Sequence, residues 1–142
     1  MSRTPTPIRT RLRRTPDGRR IDVSRAVAAS ADAAWELLTD TARWPEWGPS
    51  VSAVESTDRR IRPGSAGRAR VGGPDLGLWL PFEVTACEPY RWTWTVARIP
   101  ATGHRVDPRD GGCRVAFEVP PAAAAYVPVC RRALGRIATL LA

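Results

Sequence analysis

The sequence predicts an α+β domain: about seven antiparallel strands in a curved sheet, wrapped around one long C-terminal helix, with two short helices after the first strand. Three observations predict it. Short runs of alternating apolar residues, bounded by Gly or Pro, occupy most of residues 51–119. Helix formers with apolar residues three and four apart fill residues 122–141. Three of the six tryptophans, Trp35, Trp44 and Trp47, fall within residues 35–47, directly after the first strand-like run. Side chains so large and apolar do not sit in a solvated connection, so this segment should close over a sizeable apolar interior, as a lid over a pocket.

Residues 1–19 are rich in Arg, Pro and Thr. They read as a basic, disordered tail because Ile8 and Leu12 offer little to bury, or as a loose hairpin strand closed by Pro16-Asp17-Gly18. The single domain then spans residues 20–142. Ile21, Val23 and Val27 share one parity of the first core strand, with Asp22, Ser24 and Ala26 opposite. Ser30 to Leu38 reads as a helix with Ser30 or Asp32 as N-cap, and Asp40-Thr41 ends it or starts a second. Pro45 and Pro49 should stop further helix.

Strands are expected at Val51–Ser56, Ala66–Gly72, Leu78–Cys87, Tyr90–Arg98, Thr102–Val106 and Cys113–Val119. Leu78, Leu80, Phe82 and Val84 share a face, as do Trp92, Trp94 and Val96, and as do Val115, Phe117 and Val119. Glu88-Pro89-Tyr90 is short enough to join antiparallel neighbours. Gly72-Gly73-Pro74 and Gly111-Gly112 read as turns. In the last element Tyr126, Cys130, Ala133, Leu134, Ile137 and Leu141 form an apolar stripe opposite Arg131, Arg132 and Arg136. Pro128 places its proper start near Val127, and Gly135 suggests room left for something else.

A chain of 142 residues suits one domain. Its net charge of +8 is concentrated at one end: seven arginines against Asp17 give residues 1–20 a charge of +6, leaving +2 for the rest. All 22 basic residues are arginine, and Lys, Asn and Gln are absent, which points to a bacterial coding bias more than to selection for phosphate contacts. Cys87, Cys113 and Cys130 are widely spaced with no clustered histidine, so neither a zinc site nor a disulfide framework is expected; they read as buried free thiols. No apolar run approaches the ~20 residues of a membrane span, and a soluble cytoplasmic protein is the expectation. There is no Gly-x-Ser-x-Gly elbow, no phosphate-binding Gly-rich loop and no Ser/His/Asp set.

The order of elements is that of the helix-grip fold. The segment Val23 to Pro49, with Ala34-Trp35, Leu37-Leu38, Asp40 and Trp44-Pro45-Glu46-Trp47, resembles the START and Bet v 1-like superfamily (SRPBCC), and within it the polyketide cyclase/dehydrase and lipid-transport proteins. Glu88-Pro89 before a Trp-bearing strand and Pro120 ahead of the last helix fit the same group, over residues 21–141. The resemblance implies a deep cavity between sheet and terminal helix, of ~300–1,000 Å³, for a hydrophobic small molecule that is lipid-like or aromatic and polyketide-like. It implies no cofactor and no metal.

On that resemblance the ligand-binding candidates are Trp47, Leu80, Phe82, Trp92, Trp94, Val96, Phe117, Tyr126, Cys130, Ala133 and Ile137. Trp47, Pro49 and Tyr126 are placed at the mouth, and Trp44 in the core. A cyclase or dehydratase reading would use His104 or Tyr126 for proton transfer, although the residues around His104 favour a solvated surface position for it. Arg70 and Arg98 are candidates for a ligand's negative charge. A third reading tethers the domain to nucleic acid, ribosome or an acidic surface through residues 1–19 alone. Either a monomer or a homodimer is compatible with the sequence.

Overall fold

The computed structural model describes residues 6–72 and 77–142. Nine strands form one sheet: β1 Arg9–Thr15, β2 Gly18–Val27, β3 Val51–Ser56, β4 Ala66–Val71, β5 Leu78–Glu88, β6 Arg91–Val96, β7 Ile99–Pro100, β8 Gly103–Arg109 and β9 Gly112–Val119. Their spatial order is β1-β2-β9-β8-β6-β5-β4-β3, with β7 paired to β6, and every pairing is antiparallel. The helices are α1 Ala31–Thr39, α2 Trp44–Trp47 and α3 Val127–Leu140, with 3₁₀ turns at Thr41–Arg43 and Pro121–Tyr126. The curved sheet and long C-terminal helix are the expected architecture with more strands than seven.

Residues 9–19 take the hairpin-strand alternative and not the tail. Arg9–Thr15 lies in register along β2, from Arg9 opposite Ser24 to Thr15 opposite Gly18. The two-residue turn Pro16-Asp17 is closed by Thr15, whose Oγ1 donates to the Gly18 carbonyl at 2.8 Å and accepts from the Asp17 amide at 3.1 Å. Gly18 has φ +106°, which a side chain would strain. Leu12 stays 66% exposed, so the strand is held by its backbone ladder and turn and hardly by burial. Apolar content, the basis for expecting disorder, was therefore a poor guide here.

In α1, Ser30 is the N-cap and its Oγ accepts from the Ala33 amide at 3.1 Å. Asp40 then caps the 3₁₀ turn through the Ala42 amide and pairs with Arg59 at 3.1 Å. The hydrogen bond from Arg59 holds the Asp40 carboxyl below its ordinary range. Pro45 does not stop the helix but sits in the first turn of α2, where its missing N–H breaks no bond. Pro128 does the same for α3.

The core lies between the inner sheet face and the helices. Val23, Phe82, Val84, Trp92, Val106, Val115, Phe117 and Val119 meet Leu37 and Leu38 of α1 and Cys130, Ala133, Leu134 and Ile137 of α3. Fully buried aliphatic residues such as Leu134 and Ile137 contribute roughly 1.5–3 kcal/mol each. Gly135 leaves no internal space: a Cβ there would meet nothing within 4 Å, and the residue borders open surface beside Glu46 and Arg132. The turn expected at Gly72-Gly73-Pro74 lies mostly outside the described residues.

Candidate functional site

Indoles fill the space beneath α3. Trp44 stacks on Trp92 with ring centroids 5.1 Å apart and planes 2° apart, and Trp92 stacks on His104 at 3.7 Å and 10°. Trp47 packs on Phe117 at 5.8 Å and edge-on to His104. The short helix is fixed by its tryptophans: Trp44 Nε1 donates to the Leu38 carbonyl at 2.9 Å and Trp47 Nε1 to the Leu37 carbonyl at 3.2 Å. Those carbonyls lie at the end of α1, where intrahelical donors run out, so two orphan acceptors are satisfied while two aromatic rings are aimed inward.

About 30 Å³ of empty space is left there, beside Trp92, His104, Phe117, Cys130 and Ala133. That is room for a water molecule, not for an organic ligand. Among the described residues the deep cavity expected from the resemblance is therefore absent. Alanines on α3 do leave room above the sheet, but Trp44, Trp47 and His104 occupy it.

The open space is at the mouth. A groove of about 500 Å³ runs between the β3-to-β7 part of the sheet and the segment leading into α3. Its walls include Val51, Leu80, Trp94, Val96, Ile99 and Tyr126, and no charged residue lines it among the described residues. Leu80, Trp94 and Val96 are half-buried, and Ile99 is 66% exposed. Polar atoms are few. Ser50 Oγ and Tyr126 OH share a 2.5 Å hydrogen bond at one side. At the inner end Thr102 Oγ1 lies 3.5 Å from Trp94 Nε1 and 3.4 Å from His104 Nε2, linking the groove to the interior.

The candidates thus divide into three sets. Leu80, Trp94, Val96 and Tyr126 line the groove. Trp47, Trp92, Phe117, Cys130 and Ala133 border only the small interior void, so Trp47 is a core residue, 6% exposed, and not part of the mouth. Phe82 and Ile137 touch neither space; Phe82 packs on Trp44 with centroids 5.4 Å apart. Trp44 is in the core, as expected.

His104 is 2% exposed, so the surface reading fails; it shares the inward parity of Trp92 and Phe117, its cross-strand partners. Burial lowers its pKa from 6.5 to about 3, leaving the ring neutral near pH 7. Its Nδ1 and Trp92 Nε1 are buried without a hydrogen-bond partner among the described residues. Burial raises the pKa of the Tyr126 hydroxyl and pushes the Cys130 thiol up to about 12, an unreactive form. Arg70 lies opposite Trp79, on the sheet face away from buried Ala69, and Arg98 is exposed in the β6–β7 turn; neither lines the groove. Among the described residues no three His, Cys, Asp or Glu side chains gather as a metal site.

Sequence reasoning missed the β6–β7 hairpin, which supplies Ile99, Pro100 and Ala101 to the groove. Its turn places Ala97 at φ +51° and Arg98 at φ +66°. Such turns ordinarily advertise themselves through Asn or Gly, and this one carries neither.

The family model described as polyketide cyclase / dehydrase and lipid transport matches residues 18–142. No curated protein matches the chain. Among solved structures, protein Ms6760 from Mycobacterium smegmatis is 20% identical, with a TM-score of 0.67 over 95% of this chain and 98% of that one. Ara h 8.0201 is 9% identical with a TM-score of 0.63, covering 95% of this chain and 98% of that one. The di-domain ARO/CYC StfQ of the steffimycin biosynthetic pathway is 13% identical with a TM-score of 0.61, over 84% of this chain and 49% of that one. At these identities the likeness is one of fold.

Proposed function

Because the chain belongs to the polyketide cyclase/dehydrase and lipid transport family, we propose that it binds a hydrophobic small molecule, lipid-like or aromatic, in the groove at the mouth of the sheet and not in its interior. The observation that supports this is the groove of about 500 Å³, free of charged residues among those described and rimmed by an exposed isoleucine, against an interior void of about 30 Å³. A ligand covering ~200 Å² of apolar surface gains about 5 kcal/mol before the cost of ordering it. The hydroxyls of Thr102 and Tyr126 orient a polar end.

A panel of fatty acids, sterols and aromatic polyketides, followed by thermal shift and tryptophan fluorescence, tests the proposal. Binding by at least one class is expected. Ile99→Asp puts a charge into the groove at an exposed position, and should weaken binding at least tenfold without unfolding the domain. No response from any class would sink the reading, as would an unchanged affinity in the Ile99 variant.

A second reading, cyclisation or dehydration of a polyketide-like substrate held in the same groove, is favoured by the Ser50–Tyr126 hydroxyl pair, the proton-bearing groups at its rim. His104 has little to offer as a base near pH 7. Incubation with a reactive poly-β-ketone should then give a product distribution that differs from buffer alone and reverts to it in Tyr126→Phe. Identical products with the wild-type protein exclude catalysis on that substrate.

A further inference from the structure

The outer face of β1, β2, β9 and β8 carries a buried charge with no counter-ion among the described residues. Three carboxylates lie on this face, and Arg105 engages all of them: its Nη1 reaches Asp22 and Glu118 at 2.9 Å and its Nε reaches Asp107 at 3.0 Å. Arg91 adds a second bond to Glu118 at 2.8 Å. Burial works against the Arg105 charge, and the hydrogen bonds that its guanidinium donates to Asp22 and Asp107 overcome it, holding its proton more firmly than usual. That half of the face is satisfied.

The neighbouring half is not. Arg114 in β9 is only 9% exposed, and its Nη1 donates to Ser24 Oγ at 3.3 Å. Among the described residues no carboxylate stands within ion-pair distance of it, because Asp107, its cross-strand partner, is turned to Arg105. Across Ser24 lies Arg9, and two residues along β1, about 7 Å away, lies Arg11. Arg109 follows Asp107 by two residues on the same face of β8. Arg9 and Arg109 are exposed and make no ion pair among the described residues, while Arg11 reaches Asp22 only at 4.0 Å.

Desolvation, then the charges of Arg9, Arg109 and Arg11, lower the pKa of Arg114. Desolvating a guanidinium beside three like charges is costly unless an anion completes the site.

We propose that Arg9, Arg11, Arg109 and Arg114 form a binding site for a phosphate group on the outer sheet face, separate from the apolar groove. Phosphate fits better than a carboxylate. It offers up to two negative charges and at least three acceptor oxygens to four guanidinium groups, each of which can donate two parallel hydrogen bonds. A carboxylate would leave most of the positive charge uncompensated.

Titration of the full chain with inorganic phosphate, followed by calorimetry in dilute chloride buffer, tests the site. Saturable one-to-one binding is expected, with a Kd below about 1 mM, that weakens steeply with added salt. Arg114→Gln, which keeps a hydrogen-bond donor for Ser24, should weaken it at least tenfold. Arg9→Ser with Arg109→Ser removes only exposed side chains, leaves the buried residue in place and should do the same. Phosphate that binds no better than chloride, or equally well in the double variant, overturns the proposal. Parallel arms with a nucleoside 5′-monophosphate and with phosphatidic-acid vesicles identify the source: a tenfold gain over inorganic phosphate assigns that carrier, and no gain assigns the free ion.

Discussion

At the scale of single residues, His104 is the group whose chemistry the fold changes most. Its pKa is about 3 in the folded state against 6.5 when unfolded, so between those values the unfolded chain binds more protons. Stability from this residue is complete above pH 6.5 and is lost as the pH falls toward 3. At pH 4 the loss amounts to roughly 3 kcal/mol. Denaturant titrations from pH 7 to pH 4 should therefore show a shallower decline for His104→Phe, which keeps the ring against Trp92; parallel curves would show that other groups govern acid sensitivity. The inward position of Trp92 was legible because Trp92, Trp94 and Val96 alternate cleanly. That of His104 was not, since the inward set Thr102, His104 and Val106 is mostly polar and the outward Arg105 is itself buried in an ion network.

Elements divide by whether local signals agree with tertiary demands. The apolar stripe on α3 and the Ser30 cap of α1 were readable because packing reinforces periodicity and capping chemistry. β1 was readable only as one of two alternatives, through its Pro16-Asp17-Gly18 turn, since it has little to bury, and the β6–β7 turn was not readable because it lacks Asn or Gly. Both helix and turn are below their local optimum. Gly135→Ala in α3 meets no atom within 4 Å and should raise stability by about 0.5–1 kcal/mol. Arg98→Gly relieves a positive φ at the turn and should add a similar amount. Thermal melts check both, and a lower melting temperature in either variant would contradict the local accounts given for it.

The whole molecule shows where sequence periodicity stops being informative. Alternation reveals which face of a strand is apolar, and the order of elements announced the helix-grip architecture. Neither measures how far the sheet bends or whether side chains from the short helices reach its hollow. Here Trp44 and Trp47, held by the last carbonyls of α1, reach it and leave about 30 Å³. The candidate site was therefore only partly readable: Leu80, Trp94, Val96 and Tyr126 line the groove, while Trp47, Phe82, Trp92, Phe117, Cys130, Ala133 and Ile137 belong to the packing beneath it.

The sheet order has a consequence for synthesis. β2 makes its inner-edge pairing with β9, Ile21 opposite Val119 and Val27 opposite Cys113, so the seam of the molecule joins its early and late segments. Contacts of such long sequence separation are slow to form, and on the ribosome they must wait until the last strand has emerged. A nascent chain stalled with only residues 1–110 outside the exit tunnel should be digested readily by protease. One displaying all 142 residues on a spacer should resist it.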